Sequence, residues 1–206
     1  MDYNVSSKVE QRGVLAGMLL GVGRKEGYNF FIQHSQTQLD YLLFKKHLLE
    51  EITRKPISLQ HRETRQGKQL FRIEPKRIPL IRILVQKIYR DCQKSVTRKF
   101  LNFLTPQGIG IWFMDKGSKS FKRKGGKIRA IEVFLNTHFS KEENEIIITY
   151  FWERWGFRWG LSKTRKGYRL RMGTKAGKDF FTFLRPYVRP SMLHIIQTSY
   201  NTTAAT

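Results

Sequence analysis

Residues 108–114, Gly-Ile-Gly-Ile-Trp-Phe-Met, place small and large apolar side chains on every side of a helix that Thr105 caps and Pro106 begins. A helix with no polar face has to be buried all round. Residues 14–22, Val-Leu-Ala-Gly-Met-Leu-Leu-Gly-Val, have the same character. Gly13, Ala16, Gly17 and Gly21 in the first segment, with Gly108 and Gly110 in the second, let two helix backbones approach closely. The two segments are therefore expected to pack on one another at the centre of the molecule. One ends in Gly21-Val22-Gly23, the other in Asp115-Lys116-Gly117.

Each central helix opens a similar series of elements. In the first series, Ser7 and Glu10 have capping-box spacing before the helix, and 28–33 reads as a strand. Ser35 and Gln38 suggest a second capping box, and the helix that follows stops at Pro56. Strands are expected at 57–62 and 69–73, then a helix at 78–88. The second series has the helix at 105–115, a basic loop, a strand at 128–135, a helix opened by Ser140 and Glu143, strands at 157–161 and 168–172, and a final helix through Phe180, Phe181 and Leu184. Gly23 matches Gly117, Ser35 matches Ser140, and Thr64-Arg65-Gln66-Gly67 matches Thr164-Arg165-Lys166-Gly167. This pattern predicts a tandem duplication about a pseudo-twofold axis, with one repeat at 1–98 and the other at 99–206.

Charge narrows the partner. The chain of 206 residues carries 39 Lys and Arg against 16 Asp and Glu, a formal net charge of +23. Self-repulsion of that size opposes folding, so a polyanion is the expected partner. The basic residues are not gathered on one amphipathic helix, which argues against an anionic membrane surface. Cys92 is the only cysteine, so an intramolecular disulfide is excluded and a cysteine-based zinc site is disfavoured. With no signal-peptide layout and no apolar run long enough to span a bilayer, an intracellular, reducing compartment is expected, either bacterial cytoplasm or organelle interior.

The segments LAGMLLGVG (15–23) and IGIWFMDKG (109–117) resemble the two signature motifs of LAGLIDADG homing endonucleases. LTPQGIGIWFMDKG and FFTFLRPYVRPSML are similar to the single-chain, intron-encoded members. The resemblance covers nearly the whole chain. It implies an α+β fold, a tandem αββαββα repeat with two packed central helices and two antiparallel sheets that form a saddle for nucleic acid. It also implies that an acid at the penultimate position of each motif holds divalent metal. Here those positions are Val22 and Lys116, neither of which ligates a hard cation. Asp115 and Glu26 are the nearest alternative acids. No cofactor is expected, with Mg2+ required only where cleavage is retained.

Several basic groups are candidates for phosphate contact. Arg24 and Lys25 follow the first motif. Lys116, Lys119, Lys122, Arg123, Lys124, Lys127 and Arg129 follow the second, in a loop that Gly117, Gly125 and Gly126 make flexible and that would order on binding. In Tyr168-Arg169-Leu170-Arg171-Met172, alternation turns the apolar side chains one way and the arginines the other. With Lys163, Arg165 and Lys166 on the preceding turn this forms a cationic ribbon, matched in the first repeat by Arg62, Arg65, Lys68 and Arg72. In the aromatic segment 150–159, Tyr150, Phe151 and Trp155 have helical spacing and read as core, with Trp159 left open, and the five histidines show no nucleophile or metal-ligand spacing. The expected function is nucleic-acid binding by a monomer that has lost metal-dependent cleavage. An RNA-binding, maturase-type splicing cofactor or ribonucleoprotein component is favoured slightly over a double-stranded DNA binder. The alternative is a site-specific DNA endonuclease.

Overall fold

The computed structural model describes residues 3–125, 127–165 and 167–198. Helix α1 (Lys8–Leu20) leads into β1 (Arg24–Glu26), β2 (Asn29–Ser35), α2 (Leu39–Thr53), β3 (Gln60–Glu63), β4 (Gln69–Ile73) and α3 (Pro79–Ile88). A two-stranded ribbon, β5 (Tyr89–Arg90) and β6 (Gln93–Lys94), and the short α4 (Arg98–Leu101) connect to the second series. That series is α5 (Pro106–Lys116), β7 (Gly117–Lys124), β8 (Lys127–Leu135), α6 (Lys141–Trp155), β9 (Gly160–Thr164), β10 (Gly167–Met172) and α7 (Thr174–Leu184). The two four-stranded antiparallel sheets have the same order, β1-β2-β4-β3 and β7-β8-β10-β9. The expected α+β tandem αββαββα arrangement is what is found.

Helices α1 and α5 are apolar and cross at the middle. A Cβ built on Gly17 would lie 2.2 Å from the backbone oxygen of Gly108, and one on Gly108 2.1 Å from that of Gly13. Main chain therefore touches main chain, as the small residues led one to expect. Ala16 is fully buried. Gly110 is different: it faces Tyr187 and the Tyr3 hydroxyl, so its missing side chain admits the C-terminal segment and not α1. Polar contacts also link the repeats. The Ser7 hydroxyl caps α1 through the Glu10 amide, while the Glu10 carboxylate accepts from the Gln107 side chain at 2.9 Å.

Two local expectations are corrected. The Ser140–Glu143 capping box forms, but the Ser35–Gln38 one does not. Ser35 still belongs to β2, and its hydroxyl pairs with that of Thr37. The basic segment after α5 is not a loop. Residues 117–124 form an edge strand paired to β8 along its whole length, with a register shift at Lys122/Arg123, and Gly125 supplies a positive φ of 57° at the turn. Gly126 and Lys166 lie outside the described residues. In the aromatic segment Tyr150 and Phe151 are buried as expected and Trp155 is half-buried; Trp159 is buried too, whereas Trp152 is exposed.

Candidate nucleic-acid interface

Strand register sorts the candidate cations by face. On the first sheet, Phe30 and Ile32 point to the helices, so Phe31 and Gln33 point away from them. Partners across a ladder share a face. Arg24 therefore joins Phe31, and Arg62 joins Leu70 and Arg72, on the open face. Lys25 pairs with Phe30 on the helix side, its ammonium over the Tyr89 ring. On the second sheet, Arg169 and Arg171 share the open face with Phe134, Glu132 and Lys122. Lys119 pairs with Val133 on the helix side, where it donates to the His194 carbonyl. Lys163 lies on β9, beside Tyr168 and facing away from Arg169, not on the turn. Arg65, Lys68, Arg123, Lys124, Lys127, Arg129 and Arg165 are exposed at or near the hairpin ends.

One device appears in both repeats. The Arg72 guanidinium lies 3.9 Å from the centre of the Phe31 ring, and Arg169 lies 3.6 Å from that of Phe134. Each arginine is diagonal to its phenylalanine in the corresponding ladder positions. Stacking holds a planar donor fork on the open face of each sheet. Arg72 is also paired with Glu26 and Glu74, while Glu132 pairs with Arg171 and Lys122. Glu26 thus lies on a strand and holds an arginine. It is not turned toward the central helices.

The base of the helix seam is built from residues on four elements. The Asp115 side chain is completely buried, and one carboxylate oxygen accepts from Lys45 Nζ at 2.5 Å. The other accepts from the Val22 backbone N–H at 3.2 Å. A Cβ on Gly21 would sit 2.0 Å from that same oxygen, so only glycine leaves room for the carboxylate. Lys45 is itself fully buried, 4.1 Å from the Tyr41 ring centre and 3.2 Å from His34 Nε2. Burial lowers the Lys45 pKa against the pull of Asp115. His34 is held neutral, its pKa lowered to about 4 first by burial and then by the Lys45 charge. With Lys45 donating to Nε2, the Nδ1 proton goes to Gln38 Oε1 at 2.9 Å.

On the other side of the seam, Lys94 Nζ donates to the Gly21 carbonyl at 3.2 Å. Burial, then the positive charge of Lys116, lowers its pKa to about 7; Asp115 opposes this shift and Arg24 adds to it. Val22 and Lys116 are half-buried beside this group.

These residues do not fit a divalent metal. Val22 offers no side-chain donor, Lys116 is a cation, Asp115 is occupied by an ammonium, and the Gly21 carbonyl already holds Lys94. Among the described residues no three His, Cys, Asp or Glu side chains converge on one point. Sequence reasoning missed both lysines. Lys45 left a trace: it lies at helical spacing with Tyr41, Leu48 and Ile52, a charge on the buried stripe of α2. Lys94 left none, because a two-residue strand has no period to read.

The comparisons with known proteins agree with this architecture. The chain is similar to "Protein RecA" of Mycolicibacterium fallax (28% identity over 200 residues, 90% of this chain and 46% of the relative). It is 26% identical to "Protein RecA" of Mycolicibacterium flavescens over 199 residues, covering 89% of this chain and 45% of the relative. The chain thus spans just under half the length of these curated relatives. Among solved structures, the homing endonuclease I-WcaI bound to its DNA recognition sequence superposes with a TM-score of 0.77 at 21% identity, covering 96% of this chain and 89% of that one. The LAGLIDADG homing endonuclease I-GzeII in complex with its DNA target gives 0.55 at 10% identity, covering 86% and 84%. The family model of the LAGLIDADG DNA endonucleases matches residues 12–180, more than three quarters of the chain, and the protein belongs to that family.

Proposed function

We propose that this protein binds duplex DNA on the open faces of its two sheets and does not cut it by a metal-dependent route. The observation that carries the proposal is the seam: Asp115, the only acid at its base among the described residues, is closed off by Lys45 and the Val22 amide. The protein's own cations, Lys94 and Lys116, stand where phosphate would approach. They attract a backbone phosphate directly, by charge-assisted contact, with no bridging ion. The stacked arginines Arg72 and Arg169 add donors on each side.

B-form DNA suits this geometry because its major groove admits a two-stranded β ribbon, whereas the A-form RNA groove is too deep and narrow for side-chain readout. The similar structures that hold DNA support the same choice. The RNA reading, a maturase-type splicing cofactor or ribonucleoprotein component, is favoured by the net charge of +23. Competition between a duplex DNA library and structured intron RNA for the purified protein, at matched salt, separates the two. Preferential retention of DNA is expected. Displacement of DNA by RNA at equal nucleotide concentration would make the RNA reading the right one.

A further inference from the structure

We infer that the second repeat supplies most of the grip on the nucleic acid, so that the two halves of one bound duplex are held unequally. This rests on the proposed function and adds a polarity to it. Residues 117–135 and 160–172, which make the second sheet and its turns, carry eleven Lys and Arg against one Glu, a net charge of +10. The corresponding residues 24–35 and 60–73 carry six against two, a net charge of +4. Pairing leaves the difference standing: Arg72 is shared between Glu26 and Glu74 in the first sheet, and Arg171 and Lys122 share Glu132 in the second, where Arg169, the counterpart of Arg72, has no carboxylate partner among the described residues.

Reach differs as well as charge. From Gly23 to the turn glycine Gly27 the first hairpin runs four residues, and from Gly117 to Gly125 the second runs eight. Four extra residues of strand extend the arm by about 13 Å. That is about four base pairs of B-form duplex. The extension is where Lys122, Lys124 and Lys127 lie exposed, and the register shift at Lys122/Arg123 increases the local twist, which lets a ribbon follow a groove. The short first hairpin has Glu26 at its end instead.

The test uses the full chain and a duplex selected by it from a randomised library. Two matched triple variants remove three exposed charges each: Lys124→Gln/Lys127→Gln/Arg129→Gln in the second repeat, and Arg62→Gln/Arg65→Gln/Lys68→Gln in the first. All six side chains are exposed, so both variants should melt at the temperature of the unaltered chain. The second-repeat triple is expected to weaken binding at least tenfold at moderate salt. It should also flatten the log–log salt slope by about 2–3, since each phosphate no longer neutralised removes about 0.9 from that slope. The first-repeat triple should weaken binding less than about threefold, because the shorter arm and lower charge of its sheet bring fewer phosphates into contact. A footprint should extend farther from the centre on one side, and trimming the duplex there should cost more than trimming the other end. Equal losses from the two triples, or the larger loss from the first repeat, would overturn the inference while leaving DNA binding intact. Failure of the unaltered chain to select any duplex would remove both.

Discussion

Replacing Lys45 with methionine fills the volume of its stem and removes the ammonium from Asp115. Both side chains are fully buried and 2.5 Å apart, so water cannot take the place of the ammonium. The carboxylate would keep only the Val22 amide, and stranding a buried charge in this way costs about 3–5 kcal/mol. Asp115→Asn strands the ammonium instead. It retains an acceptor for the Val22 amide, so a loss at the lower end of the same range, about 3 kcal/mol, is expected. The double variant leaves no unpaired charge and should fall within about 2 kcal/mol of the unaltered protein, well below the sum of the singles. Urea unfolding at neutral pH measures all four stabilities, and repeating it in high salt should change the differences little because the pair is shielded from ions. Singles costing less than about 1 kcal/mol each and adding in the double would refute the reasoning, since that is the worth of an exposed pair.

Three further outcomes follow from the ribbon between the repeats. Folding lowers the Lys94 pKa from 10.5 to about 7, so between those values the unfolded chain binds a proton that the folded chain lacks, and stability should rise with pH there. An anion bound beside Lys94 restores that proton, so DNA affinity should fall as pH rises from about 7 toward 10, and Lys94→Gln should flatten this fall in fluorescence-anisotropy titrations. Asp91 and Cys92, with φ of 45° and 65°, form the two central positions of the ribbon's turn. Replacing them with Asn-Gly, which adopts this conformation without strain, should raise stability by about 0.5–1 kcal/mol in thermal unfolding.

The central helices were legible because packing imposes a strict requirement on composition. Gly17 and Gly108 must be small where backbones meet, and apolar residues must surround them. The repeat was legible because the same elements recur in order. The first strand of each repeat was not. In β1 three charged residues have no alternation, and β7 is a polar edge strand, so neither bears the apolar period that marks a half-buried strand. The Ser35–Gln38 spacing misled because β2 runs through Ser35 and a single 3-10 turn, Gln36–Gln38, precedes α2. At the seam, the family resemblance put Val22 and Lys116 at the positions where acids are expected but said nothing of where Asp115 points. Lys45, 70 residues earlier in the chain, decides that, and spacing carries no such long-range pairing.

The most direct measurement follows a selected, end-labelled duplex with the purified protein in excess EDTA and again in millimolar magnesium or manganese. Under the proposed function, in which protein cations hold the phosphate at the seam, affinity is expected to be the same in both and the duplex to stay intact. Binding that requires the divalent ion, or specific double-strand cuts when it is added, would contradict this account.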